Sequence, residues 1–188
     1  MTRTRTYPDE SVGSFPSPPS TFEDRDGRAI EVRVPERFDG DALEDVVEMY
    51  VEFDPTDRAQ GIPPTGRERI ETWLEAIADY SVNVVASHGT DAIGHAMLVP
   101  DVDDPSSLED AADAEWELAI FVLQEYQRAG IGTALLEYLL GHASDVGIRR
   151  VWLTVERWNQ PAIALYERVG FETTGAESFE QEMAIKLE

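Results

Sequence analysis

Two stretches of the chain combine residue types that can hold an anion and move a proton. The first is Gln127-Arg128-Ala129-Gly130-Ile131-Gly132. An apolar run precedes it and an amphipathic stretch follows, so it reads as a strand-to-helix turn. Gly130 and Gly132 lack side chains, so a ligand can approach the backbone closely. The first amides of the helix, at Ile131, Gly132 and Thr133, have no partner within the helix, and the helix dipole adds positive potential. Such a turn suits a pyrophosphate, with Arg128 adding one cation. The same glycines also suit a tight turn with no ligand. The spacing differs from the dinucleotide fingerprint, because Thr133, Ala134 and Leu135 follow Gly132, and from the P-loop, which needs Gly-Lys-Ser/Thr.

The second stretch runs from Trp158 to Phe171 as WNQPAIALYERVGF. Asn159 is placed to cap a helix with Pro161 in its first turn, and Gly170 follows its end. Ala162, Leu165, Tyr166 and Val169 share one face. Alone, this is a helix with well-formed ends. The Tyr166 phenol and the carboxylate of Glu117, at the start of the preceding apolar strand, are the groups here that can donate or accept a proton.

Taken together, the two stretches resemble the GNAT superfamily of N-acetyltransferases. Gln127–Gly132 matches that family's acyl-CoA signature, [Q/R]-x-x-G-x-[G/A]. Asn159–Phe171 matches its downstream segment, N-x-x-A-x-x-L-Y-x-x-x-G-F. The likeness is dense from about Glu117 to Phe171, looser from Ile30 to Val99, and absent from the N-terminal stretch. It implies a mixed, mostly antiparallel sheet of six to seven strands flanked by about four helices, in which two strands splay to form an acyl-CoA cleft. It further implies that the pantetheine arm bonds to the backbone of Phe121, Val122 and Leu123. The pyrophosphate would rest on Gln127, Arg128, Ala129, Gly130, Ile131, Gly132 and Thr133, and Asn159 would contact the cofactor arm. Tyr166 would lie near the thioester sulfur and protonate the leaving thiolate. Glu117, ten residues before Gln127, stands where similar protein-lysine acetyltransferases place a glutamate. It is the candidate base for an amine acceptor. The other reading of Glu117 is a solvated or ion-paired strand end. Two departures affect the turn: Gln124 stands where proline is common, and Arg128-Ala129 replaces the more usual Gly-Lys or Gly-Arg.

The resemblance implies acetyl-CoA as co-substrate and direct attack by the amine, with no covalent enzyme intermediate. A small amine or amino acid is one acceptor class and a protein lysine or N-terminus another. A non-catalytic acyl-CoA sensor is the alternative, although a sensor has no need of Tyr166. The loops Asp54–Thr65, with Asp57 and Arg58, and Asp101–Asp113 are expected to shape the acceptor side. The exposed edges of such a sheet make a homodimer plausible.

Composition bounds these readings. The chain has 188 residues, enough for one domain with a real core. It has no cysteine, which removes disulfides, thiolate metal sites and a cysteine nucleophile. His88, His95 and His142 show no ligand spacing and read as surface or half-buried residues, so no metal is expected. The N-terminus carries no apolar signal, so a cytoplasmic protein is expected, with no membrane partner. Thirty-eight acids against fifteen bases give a net charge of -23, and Lys186 is the sole lysine. Such self-repulsion is screened at high salt, where the Debye length falls to ~3 Å at 1 M, so a salt-adapted (halophilic) protein is the simplest reading. Without a basic stripe, nucleic acid is not an expected partner.

Stepwise patterning then places the elements. Residues 1–28, rich in Ser and Pro, read as a flexible tail, with the acetyltransferase-like domain at 29–188. Alternation marks strands at Ile30–Val34, Val82–Ser87, Ile93–Val99 and Val151–Val155. Trp116–Leu123 reads as a strand buried on both faces, and two more strands close the chain near Phe171–Thr174 and Phe179–Leu187. Helical spacing marks Asp41–Phe53, Arg67–Asp79, a helix opened by Ile131, and the one capped by Asn159.

Overall fold

A computed structural model describes residues 5–54, 56, 63–177 and 179–188. The elements are β1 (Ser20–Glu23), β2 (Ala29–Arg33), α1 (Gly40–Glu52), α2 (Arg67–Ile77), β3 (Val82–His88), β4 (Asp91–Pro100), β5 (Trp116–Val122), α3 (Ile131–Asp145), β6 (Arg150–Glu156), α4 (Gln160–Val169), β7 (Glu172–Ala176) and β8 (Glu180–Lys186). The strands form one sheet of eight in the order β1-β2-β3-β4-β5-β6-β8-β7. All neighbours are antiparallel except β5 and β6. The sheet is therefore one strand larger than the six to seven expected, and of the expected mixed kind.

Side-chain alternation gives the sheet two apolar faces. Leu118 and Ile120 of β5 join Ile131, Leu135, Leu136, Leu139 and Leu140 of α3, with Ala162, Ile163 and Tyr166 of α4. Phe121 on the opposite face joins Val46, Val47 and Tyr50 of α1 and Ile70 and Leu74 of α2. Each such leucine, fully buried, contributes roughly 1.5–3 kcal/mol. Arg67 ties the two helices on that second face by pairing with Glu44, Glu48 and Glu71. Within β5 the burial is one-sided at its start: Trp116 and Leu118 are buried while Glu117 is exposed. The expectation of a strand buried on both faces fails there, because Glu117 lies beyond the cover of α1 and α2.

The stretch read as a tail is packed on the domain from Arg5 onward. Ser20–Glu23 is the edge strand β1, paired to β2 from Ser20↔Val32 to Glu23↔Ala29. Only Phe22 of its four residues is apolar, so the ladder, not a hydrophobic pattern, holds it. Upstream, the chain crosses the end of helix α3. A β-carbon on Gly141 would lie 2.0 Å from the Pro16 carbonyl oxygen, so only glycine admits the crossing. Val12 then bridges Leu187 beyond β8. Asp101–Asp113, read as a surface loop, carries two short helical turns capped by Asp104 and Asp110.

His95 is fully buried, against the expectation of a surface or half-buried residue. Its ring stacks on Phe38, its Nε2 lies 2.9 Å from Asn83 Oδ1, and its Nδ1 lies 2.9 Å from the Tyr50 hydroxyl. Asn83 Nδ2 donates to Ser81, which assigns Oδ1 as acceptor and so Nε2 as the protonated nitrogen. Tyr50 then donates to Nδ1, and the neutral ring is satisfied. Burial lowers the His95 pKa to about 3. Between the usual imidazole value of about 6.5 and that value, the unfolded chain binds a proton that the folded one does not. Stability is therefore lost as pH falls through this window, by up to about 1.4 kcal/mol per unit from this group. Replacing His95 by Gln is expected to destabilise the fold at neutral pH and to flatten the pH dependence between 6.5 and 4, read by denaturant titration. An unchanged slope would contradict the assignment.

Candidate active site

β5 and β6 share register only at Trp116↔Val151 and Glu117↔Trp152. Beyond that rung they part. The gap opens into a cleft of about 930 Å³ between β5, the start of α3, and α4. Ile120, Phe121 and Val122 form one wall, Gln127, Arg128, Gly130, Gly132 and Thr133 another, and Asn159, Pro161 and Leu165 a third.

Leu123 does not offer its backbone to this gap. Its N–H donates to Ile93 (2.9 Å) and its carbonyl accepts from Tyr126 (2.8 Å). Successive residues of a strand point their amides to opposite sides. Leu123 and Phe121 therefore face β4, whereas Ile120 and Val122 face the gap. The expected trio Phe121, Val122 and Leu123 is thereby corrected to Ile120 and Val122, with Phe121 contributing only surface. Alternation counted back from the strand's end was the signal for Ile120.

The turn is built as its sequence suggests, with two differences. Gln127 directs its amide inward, Nε2 donating to the Val122 carbonyl at 3.0 Å, so it braces β5. Ala129 and Ile131 bury their side chains, leaving only backbone to a ligand. Gly130 caps α3 in the left-handed region, at φ 91°. Arg128 also has positive φ, at 61°. A non-glycine residue there costs roughly 1–2 kcal/mol. The departure from the usual glycine at this position therefore keeps the turn's shape at the expense of strain.

Arg25, from the stretch read as a tail, completes the turn. Its N–H donates to the Ala129 carbonyl at 3.0 Å, and its Nε lies 3.8 Å from where a β-carbon on Gly130 would sit. Arg25, Arg128 and Arg168 all line the cleft. None makes an ion pair among the described residues. Arg25 and Arg128 at the start of α3, with Arg168 of the last turn of α4 on the same cleft, in a chain of net charge -23, mark a site for an anion. Sequence reading missed Arg25 because nothing local ties it to residue 129.

Asn159 caps α4, accepting from the Ala162 N–H at 3.3 Å, and also lines the cleft. Tyr166 is wholly buried, its ring 5.7 Å from that of Phe171. Its hydroxyl has no hydrogen-bond partner among the described residues, and burial raises its pKa. An orphaned buried hydroxyl fits a site that a ligand completes. Glu117 stands at the last paired rung before the strands part, between Val99 and Trp152. Partial desolvation by the surrounding protein raises its pKa; Asp101 adds to the rise and Arg5 opposes it. Asp57 and Arg58 lie outside the described residues. Among the described residues, no group of acidic or histidine side chains could hold a metal ion. No described helix is long and apolar enough to cross a membrane.

The acetyltransferase (GNAT) family model matches residues 43–171. The chain belongs to the GNAT family. It is 31% identical over 129 residues to an uncharacterised N-acetyltransferase of Mycobacterium bovis, covering 62% of this chain and 76% of that one. Over 52 residues it is 48% identical to the [ribosomal protein bS18]-alanine N-acetyltransferase of Escherichia coli K12, covering 28% of this chain and 35% of that enzyme. The chain thus spans about a third of the length of these bS18-alanine acetyltransferases. Among solved structures it is similar to the GNAT domain of S. lividans PAT, at TM-score 0.71 and 20% identity, covering 89% of this chain and 96% of that one. A phosphinothricin acetyltransferase of Sinorhizobium meliloti in complex with acetyl-CoA gives TM-score 0.63 at 22% identity, covering 84% and 88%. These two show that the GNAT fold is shared.

If Arg25 serves this GNAT cleft as an anion contact, Arg25→Ala should weaken acetyl-CoA binding about tenfold, the scale of one charge-assisted hydrogen bond partly screened by solvent. Calorimetry checks this. Unchanged affinity in a folded variant would leave Arg25 as a brace for the turn alone.

Proposed function

We propose that this GNAT protein is an acetyl-CoA-dependent N-acetyltransferase acting on a primary amine. The observation that carries the reading is the cleft where β5 and β6 part, lined by the α3 start and by Arg25, Arg128 and Arg168, with the orphaned Tyr166 hydroxyl in the adjoining core. The family match and the acetyl-CoA complex of a structural neighbour support it. When bound, acetyl-CoA supplies an acetyl group activated as a thioester.

The chain's own residues do the rest. Amides of Ile131, Gly132 and Thr133, with Arg25 and Arg128, hold the pyrophosphate. The Val122 amide, facing the gap and braced through Gln127, orients the pantetheine arm. Glu117 takes a proton from the acceptor, directly or through a water. A lysine-like amine has a pKa of about 10.4 and is almost wholly protonated at neutral pH, so this removal is required before attack. A raised carboxylate pKa makes Glu117 the stronger base. As the amine nitrogen bonds to the acyl carbon and the carbon–sulfur bond breaks, the Tyr166 hydroxyl donates to the departing sulfur. Its raised pKa keeps that proton in place across the working pH range.

The test is thiol release from acetyl-CoA over a panel of primary amines, with product mass as the second readout. Tyr166→Phe should lower kcat about 10²-fold, with little change in acetyl-CoA affinity. In the wild type, kcat/KM should rise with pH through a limb set by Glu117, raised from the usual glutamate value by partial burial. Glu117→Gln should remove that limb and slow the reaction. Binding of acetyl-CoA without transfer to any amine or peptide amine would favour a non-catalytic acyl-CoA sensor.

A further inference from the structure

The N-terminal arm ends in a built cation site on the α1/α2 face of the sheet. The Arg5 guanidinium lies over Trp152, its Cζ 3.4 Å from the ring centroid. Arg5 Nη1 donates to Asp101 at 2.6 Å and to Glu115 at 2.8 Å, and its Nε lies 3.5 Å from Glu182. The side chains of Arg5 and Glu182 are each only 12% exposed. Trp152 is 7% exposed, and its indole N–H has no partner among the described residues. An aromatic floor with three carboxylates around it is chemistry for a guanidinium or alkylammonium.

The position of this box relates it to the cleft. Trp152 is the register partner of Glu117, on the rung where β5 and β6 begin to part. Ala119, on the same face, is two residues further toward the gap, about 7 Å at the rise of a strand. A cation over Trp152 therefore sits a few carbon–carbon bonds from an amine presented to Glu117 at the gap.

The arm that fills the box lies outside the core. Between Arg5 and Ser11 no residue enters the hydrophobic core. Its hydrogen bonds among the described residues are those of Arg5 and a Lys186 Nζ bond to the Asp9 carbonyl, with Tyr7 and Pro8 half-buried between them, until Val12 joins the end of β8. Its lifting would uncover the half-buried Tyr7 and Pro8 but no residue of the core.

We propose that this box is the acceptor's second-cation subsite, and that Arg5 occupies it in the substrate's place. The acceptor class is then a primary amine bearing a further cationic group, and the arm is a competitive strap. The link to the acceptor rests on the acetyltransferase reading above; the cation site itself does not.

The test uses the full chain, at one salt concentration throughout, and titrates agmatine, a primary amine with a guanidinium tail, against butylamine, which lacks the second cation. Calorimetry without acetyl-CoA reads the box alone. Arg5→Ala should bind agmatine at least about tenfold more tightly than the wild type, a change of roughly 1.4 kcal/mol. Butylamine should bind both alike. Arg5→Gln, which keeps the stem, should behave like Arg5→Ala, and Arg5→Lys should stay close to the wild type. Adding Glu182→Gln to Arg5→Ala should remove the gain. Equal agmatine binding by wild type and both neutral variants, each folded by circular dichroism, overturns the proposal. With acetyl-CoA present, agmatine should be acetylated at lower KM by Arg5→Ala than by wild type, with kcat nearly unchanged. Tight agmatine binding without a lower KM would reduce the box to a cation site unconnected to the acceptor and overturn the subsite assignment. Failure of acetyl-CoA itself to bind or react would instead overturn the acetyltransferase reading, whatever agmatine does.

Discussion

Two rungs of parallel pairing hold β5 and β6 together, and the cleft exists because the pairing stops there. A sheet normally closes such a gap, since an unpaired backbone amide away from water costs free energy. Here both strands are held from outside. β5 is zipped to β4 along its whole length, from Gly94↔Val122 to Pro100↔Trp116, and β6 to β8 from Arg150↔Lys186 to Glu156↔Glu180. The amides of Ile120 and Val122 are left facing the opening. The same parting carries the ends of β5 and β6 to different helices, so that α3 and α4 flank the opening.

Charge is the second constraint. In a chain of net charge -23, cations gathered at one place carry weight. Arg28, Arg67 and Arg5 are each embraced by carboxylates. Arg25, Arg128 and Arg168, like Arg69, Arg150 and Arg157 elsewhere, have no ion pair among the described residues, and the first three line one cleft. Both patterns favour binding sites, of opposite sign: a positive one at the α3 start and a negative one beneath Arg5. They lie toward opposite ends of β5 and β6.

Most of the sheet and all four helices were legible in the sequence, because period-2 and period-3.6 patterns report local burial. Helix α4 was legible to its caps: Asn159 and Gly170 act as their residue types suggest. What escaped was held by long-range contact. β1 has one apolar residue and depends on β2. Arg25 reaches residue 129 across the fold, and Arg5 reaches Asp101, Glu115 and Glu182. A Ser- and Pro-rich composition argues against a core, not against packing on a finished surface. Gly141, shaped to the Pro16 backbone, records that packing inside the domain. Leu123 was misassigned because a family pattern names a strand end, whereas the direction of each amide depends on the register with β4. His95 gave no sign of burial, since its partners Tyr50 and Asn83 come from two other elements.

In the proposed function, the turn from Gln127 to Thr133 receives the pyrophosphate of acetyl-CoA. Calorimetric titration of acetyl-CoA in about 2 M KCl, where surface repulsion is screened, tests it most directly when wild type is set beside Gly130→Asp. An aspartate at φ 91° would strain the cap and set a negative charge where the anion must lie. Saturable one-to-one binding is expected of the wild type, and its loss in a folded Gly130→Asp protein. Absence of binding by the folded wild type, or equal binding by both, would contradict it.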